Sequence, residues 1–100
     1  MPDIQFISEA VNDYLSLDGS IKKMVNEKID KLKENPFLGD ALGNKNNMDL
    51  TGYYKIYMAK KTYRIVYRFI KNEIEIVEIW GIGKRDKMEI YKIIEKRRKK

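Results

Sequence analysis

Neither cysteine nor histidine occurs anywhere in these 100 residues. Without Cys there are no disulfides, no thiolate nucleophile and no Cys-based metal site. Without His, acid–base chemistry has to come from Lys, Arg, Tyr, Asp or Glu, because the side chain best suited to neutral pH is missing. No apolar run approaches the length of a membrane span. The first ten residues, MPDIQFISEA, lack the basic segment and long apolar stretch of a signal peptide. A cytoplasmic protein with no membrane partner is therefore expected. There is no room for a linker or second domain, so residues 1–100 read as one domain, and 43% hydrophobic residues suffice for a single modest core.

What the chain does carry is positive charge, and it is unevenly placed. The formal charge is +6, and Lys84 to Lys100 hold nine Lys or Arg against three acids. The remaining residues balance, so all the net charge sits in this last segment. That asymmetry points to an anionic partner such as nucleic acid, an acidic protein segment or a membrane surface, or else simply to solubility. The run from Lys96 to Lys100 reads as a basic tail, either disordered or laid against such a partner.

The stretch Tyr53 to Tyr67, YYKIYMAKKTYRIVY, alternates with period two, breaks at Lys60-Lys61-Thr62 and alternates again. This pattern predicts a strand, a tight turn and a second strand. Successive strand side chains point to opposite faces, so Ile56 and Met58 share one face with Tyr63, Ile65 and Tyr67. The other face carries Lys55, Tyr57, Arg64 and Arg68. A face that combines Lys, Arg and Tyr suits polyanions, because the cations meet phosphate and the tyrosines can stack on bases.

Around this hairpin, Ile4, Phe6 and Ile7 suggest a first strand. Ser8 can cap a helix in which Val11, Tyr14 and Leu15 recur at helical spacing. After an Asp18-Gly19 turn, Ser20 offers a second cap, and Ile21, Met24, Val25, Ile29 and Leu32 draw one apolar stripe down a second helix. Asn35-Pro36 ends it, since proline disfavours helix at the preceding residue. Residues 37–52 carry no period and read as a loop, with Leu38 and Leu42 tucked under it and Leu50 as its last anchor. A turn at Lys71-Asn72-Glu73 leads into a strand over Ile74–Trp80, whose apolar phase changes between Ile76 and Val77. Such a change implies a bulge or burial on both faces. Gly81 and Gly83 would give conformational freedom where the chain leaves the strand. Asp86 with Glu89 matches a helix-start capping box, and Met88, Tyr91 and Ile94, with Ile90 as a further candidate, give the final helix an apolar side. The order β-α-α-β-β-β-α predicts an α+β domain, with a helical hairpin and a C-terminal helix over one side of a mainly antiparallel four-stranded sheet.

With the later strands adjacent, Lys55, Arg64, Lys84 and Arg85 converge on one face, with Tyr91 one to two helical turns beyond. Each alone is an ordinary surface or core residue; together they form a constellation. Leu50-Thr51-Gly52, Tyr54-Lys55-Ile56, Tyr63-Arg64-Ile65-Val66-Tyr67, Gly83-Lys84-Arg85 and Tyr91 appear in the order and spacing of a known pattern. In this the sequence resembles the RelE branch of the RelE/ParE toxin superfamily, the toxin halves of bacterial and archaeal toxin–antitoxin pairs, along nearly its whole length.

The resemblance implies an endoribonuclease that enters the ribosomal decoding site and cuts messenger RNA without a metal or other cofactor. The substrate's 2′-hydroxyl would attack the adjacent phosphorus. Lys55 and Arg64 would stabilise the phosphate, Arg85 would do so or assist the leaving oxygen, and Tyr91 would stack on a base. Lys60, Lys61, Arg68, Lys84 and Lys87 would extend the contact to the RNA. Preorganised cations beside a developing phosphorane are an effective form of catalysis, which accounts for a nuclease without His. Where RelE carries a second Lys, two residues after the first, this chain has Tyr57. Its role as base stays open between Tyr57, Lys55, Lys60 and Lys61, or Tyr57 only stacks. The resemblance also implies a cognate antitoxin, acidic and amphipathic, alongside the ribosome and its message as partners. Two alternatives remain: a ParE-like inhibitor of DNA gyrase on the same fold, and a basic RNA-binding domain without catalysis.

Overall fold

A computed structural model of the chain describes residues 3–45, 48–71, 75–84 and 89–98. It contains β1 (Asp3–Phe6), α1 (Ser8–Leu15), α2 (Gly19–Glu34), β2 (Asp40–Lys45), β3 (Met48–Met58), β4 (Tyr63–Lys71), β5 (Glu75–Lys84) and α3 (Glu89–Arg98). The five strands form one sheet in the order β1-β5-β4-β3-β2. β1 runs parallel to β5 and the other three pairings are antiparallel. The α+β class and the element order stand as expected, with one strand more than the four predicted.

The additional strand is β2, inside the segment read as a loop. Its residues Asp40-Ala41-Leu42-Gly43-Asn44-Lys45 have no alternation, and β2 exists because β3 offers it an edge to pair with. The register slips between Ala41 and Gly43, and the slip rests on Gly43 (φ 61°) and Gly52 (φ 92°). Both lie in the left-handed region that favours glycine. Leu42 and Leu50 are buried as expected, whereas Leu38 is exposed.

Two apolar clusters lie on opposite faces of the sheet. One joins Ala10 of α1 and Ile21, Val25 and Leu32 of α2 to Ile56, Met58, Ile65, Tyr67, Val77, Ile79 and Ile82. The other joins Ile90, Tyr91 and Ile94 of α3 to Leu42, Leu50, Tyr53 and Val66. The helices therefore cover both faces rather than one. On α1 the buried residue is Ala10, while Val11 and Leu15 are exposed; on α2 the stripe holds except for exposed Met24.

The caps differ from expectation by a residue or two. Ile7 rather than Ser8 precedes α1, with no side-chain cap, and the Ser8 hydroxyl donates to Glu9 instead. Asp18, not Ser20, caps α2: its carboxylate accepts from Ile21 N–H at 3.0 Å and from the Ser20 hydroxyl at 2.6 Å. These hydrogen bonds, that from Ser20 first, hold the Asp18 carboxyl below its ordinary pKa. Asn35 leaves helical geometry ahead of Pro36, as read from the sequence. Tyr67 then pins the following segment, its hydroxyl accepting from Gly39 N–H at 2.8 Å and donating to Pro36 C=O at 3.1 Å.

In β5 the expected irregularity falls at Trp80. Tyr67 pairs with Ile79 and Val66 with Gly81, so Trp80 is the extra residue of a bulge. The strand continues to Lys84, and Gly81 and Gly83 lie within it. They serve close packing rather than conformational freedom. A Cβ on Gly81 would stand 2.7 Å from Ile94 Cδ1, and one on Gly83 3.1 Å from Ile90 Cδ1. Two missing side chains let α3 lie flat on β5. The Lys71-Asn72-Glu73 turn falls mostly, and the Asp86 cap wholly, outside the described residues. Of the segment expected as a tail, Lys96, Arg97 and Arg98 form the last turn of α3.

Candidate nucleic-acid interface and catalytic face

α3 covers only part of its side of the sheet, and the β3–β4 hairpin presents the remainder. Register places Tyr57 directly across from Arg64, and Arg64 across from Gly83 on its other side. With no side chain at Gly83, Ile90 can close against β5, which brings its neighbour Tyr91 over Arg64. Arg64 is consequently only 5% exposed and Tyr91 1%. The guanidinium carbon lies 4.8 Å from the ring centroids of both Tyr57 and Tyr91. Its Nη1 also donates to the Tyr91 hydroxyl. An arginine taken out of water needs such partners, since a buried guanidinium is costly without them.

Lys55 completes the group from two residues earlier on β3. Its Nζ donates to the Tyr57 hydroxyl at 2.7 Å and stands 4.7 Å from the ring centroid. Lys61 approaches the same ring at 5.6 Å from the β3–β4 turn. That turn is held in an unusual shape: Ala59, Lys60 and Lys61 have φ of 51°, 56° and 69°. Three consecutive non-glycine residues in the left-handed region store strain, roughly 1–2 kcal/mol each, in the turn that carries Lys61. The Tyr57 ring therefore has three cationic side chains around it.

The structure thus brings together Lys55, Tyr57, Arg64, Tyr91 and Lys61. Lys60 is exposed in the turn, and Lys84 is exposed at the end of β5, opposite Tyr63. Arg68 shares the face but lies four residues along β4, about 13 Å away. There it is engaged elsewhere: its Nε donates to Glu78 at 2.9 Å and its guanidinium lies 4.7 Å from the Trp80 ring centroid. Arg85 and Lys87 fall outside the described residues. The nearby Tyr53 hydroxyl is pushed up in pKa by burial, with Arg68 opposing, and that of Tyr67 is likewise raised by burial. Among the described residues no cluster of acidic side chains could hold a metal ion, and no helix is long and apolar enough to cross a membrane.

Sequence reasoning missed two residues, Asp13 on α1 and Arg97 on α3. They form a bidentate ion pair with N–O distances of 2.8 and 3.0 Å. Arg97 was hidden inside a basic run and Asp13 on an apparently solvated helix face. The two glycines of β5, which imply a closely packed helix, were the available signal.

Comparison with known proteins finds relatives of the whole chain. The family model for the ParE toxin of type II toxin–antitoxin systems matches residues 4–89. A protein of Escherichia coli described as a RelE-like toxin is 24% identical over 94 residues, covering 94% of each chain. The fold matches a substituted E. coli RelE toxin in the free state with a TM-score of 0.75 at 25% identity, covering 96% of both chains. It also matches a RelBE toxin–antitoxin complex from Mycobacterium tuberculosis, with a TM-score of 0.69, 27% identity and coverage of 85% of this chain and all of that one.

Proposed function

Because this chain belongs to the ParE toxin family of type II toxin–antitoxin systems, we propose that it is a toxin of the RelE kind that inhibits translation by cutting messenger RNA in the ribosomal decoding site. The family resemblance read from the motifs is borne out. The observation that carries the finer reading is Arg64, buried between Tyr57 and Tyr91 and one strand away from Lys55. A fixed cation beside stacking rings suits a phosphate flanked by bases.

In the proposed reaction the substrate's 2′-oxygen forms a bond to the adjacent phosphorus as the bond to the 5′-oxygen breaks. The products are a 2′,3′-cyclic phosphate and a free 5′-hydroxyl. Arg64 and Lys55 meet the charge that develops on the phosphate oxygens, and Arg85 is assigned the same task or the leaving oxygen. Tyr57 and Lys55, hydrogen-bonded to one another, are the pair from which the group accepting the 2′ proton comes. Tyr91, expected from the sequence to stack on a base, is instead buried, and its part is to hold Arg64 in place. A cognate antitoxin is the expected partner, since related structures are toxin–antitoxin complexes.

The second reading, a gyrase inhibitor, draws on the ParE family match. The two separate on inducing the protein in cells beside a Lys55→Ala/Arg64→Lys variant and mapping new 5′ ends on translated messages. Cuts at in-frame positions, at least tenfold fewer with the variant, are the expected result. Growth arrest with intact messages would overturn the nuclease reading in favour of gyrase.

A further inference from the structure

β1 pairs with β5 only as far as Ile79, and the chain then turns into α1, leaving that edge of β5 uncovered just where the Trp80 bulge falls. Two backbone groups there need partners, since buried peptide groups are rarely left unpaired. Asp13 and Arg97 supply them. Ile82 N–H donates to Asp13 Oδ2 at 3.1 Å, and Arg97 Nη1 donates to the Trp80 carbonyl at 2.8 Å as well as to Asp13 Oδ2. The ion pair thus stands in for the missing piece of β1. It also joins helices from opposite faces of the sheet around its edge, and it is largely covered, with side-chain exposures of 21% for Asp13 and 13% for Arg97.

The consequence reaches the candidate site. α3 reaches the site through the Tyr91 hydroxyl on Arg64. The apolar side chains Ile90 and Ile94 rest on Gly81 and Gly83, a surface without knobs. Such a surface permits close approach but does not by itself fix how far a helix slides or rolls. Arg97 lies six residues beyond Tyr91, about 9 Å along the helix axis. Its planar fork, held by a carboxylate and a carbonyl at once, fixes both distance and direction. We infer that the Asp13–Arg97 clasp around the β5 bulge sets the position of α3 on the sheet and thereby holds Tyr91 against Arg64. Asp13 and Arg97 are positioning residues, acting through Tyr91 rather than on substrate. The inference rests on the nuclease reading only for its catalytic consequence.

The test is a double-mutant cycle between the clasp and Tyr91, read as single-turnover cleavage on ribosomes programmed with a defined message. Asp13→Asn should lower the cleavage rate about tenfold, with the half-saturating concentration within twofold of the wild type and the thermal midpoint little changed. Because the clasp acts through Tyr91, Asp13→Asn should add less than a twofold loss in a Tyr91→Phe background. Arg97→Lys, which keeps the charge but not the fork, should be intermediate between wild type and Arg97→Met. Full activity in Asp13→Asn, or losses that multiply in the double variant, would overturn the inference. Amide hydrogen exchange across Ile90–Ile94 provides an arm independent of cleavage. Exchange there should rise at least tenfold in Asp13→Asn while β4 is unaffected, and unchanged rates would overturn the clasp. Should the wild type leave RNA intact, the nuclease reading fails, and the exchange measurement still decides the inference.

Discussion

The two faces of the sheet are built from the same strands and do different work. Against α1 and α2 the strands present Ile56, Met58, Ile65, Tyr67, Val77 and Ile79, a continuous apolar surface covered along its length. On the side facing α3 the apolar cluster is smaller and gives way to Lys55, Tyr57 and Arg64. A short helix covers part of this face and leaves the rest open. The face under α1 and α2 carries the larger apolar cluster, and this allows the α3 face to carry desolvated charge and strained backbone. Charge and strain are kept at functional sites only when the surrounding structure enforces them.

The largest effect should come from opening the well-covered face. Leu32→Ala removes a fully buried side chain of α2, and urea denaturation should show a loss of about 2–5 kcal/mol. A loss below about 1 kcal/mol would mean that the face under α1 and α2 is not the principal core. On the opposite face the sign should reverse. Lys60→Gly relieves a left-handed residue in the β3–β4 turn, so the protein should gain up to about 1 kcal/mol in the same experiment. On the proposed nuclease reading, cleavage should fall as Lys61 loses its place beside the Tyr57 ring; an unstrained turn would show no gain in stability. The smallest effect sharpens the comparison through pH. The Asp18 carboxyl has a depressed pKa in the folded state. Its contribution is therefore present above the unfolded-state value near ~3.9 and is lost as pH falls through the folded value. Asp18→Ala should lower the denaturation midpoint at pH 7 and converge with the wild type as pH falls through the folded-state value.

Much of the fold was written in local pattern. The β3–β4 hairpin and its two faces follow from strict alternation, and α2 with its stop at Asn35-Pro36 follows from apolar spacing and proline sterics. The Lys55, Tyr57 and Arg64 group was legible because register brings alternate residues together, and Tyr91 joined it through the family motif. What escaped depended on partners distant in sequence. β2 has no strand pattern of its own and is recruited by β3. The side on which α3 packs was obscured because Gly81 and Gly83 looked like flexibility, when they mark a close approach. Asp13 and Arg97 each resemble a solvated charge until the end of β1 and the bulge in β5 are seen together. Leu15, apolar at helical spacing, is 62% exposed, and periodicity alone could not separate it from buried Ala10.

The parallel pairing of β1 with β5 also bears on how the molecule assembles. Antiparallel β3 and β4 meet through a four-residue turn, a local event on the order of microseconds. β1 must instead find a strand from which it is separated by the helical hairpin and three other strands, and closing so long a loop is slow. The hairpin bearing Lys55, Tyr57 and Arg64 should thus take shape early, while Tyr91 reaches Arg64 only once β5 is seated and α3 has docked upon it. Newly made chains would pass through an interval in which the cationic strands exist but the arginine between its two rings does not. On the nuclease reading proposed above, cleavage would then begin with the last docking event of folding.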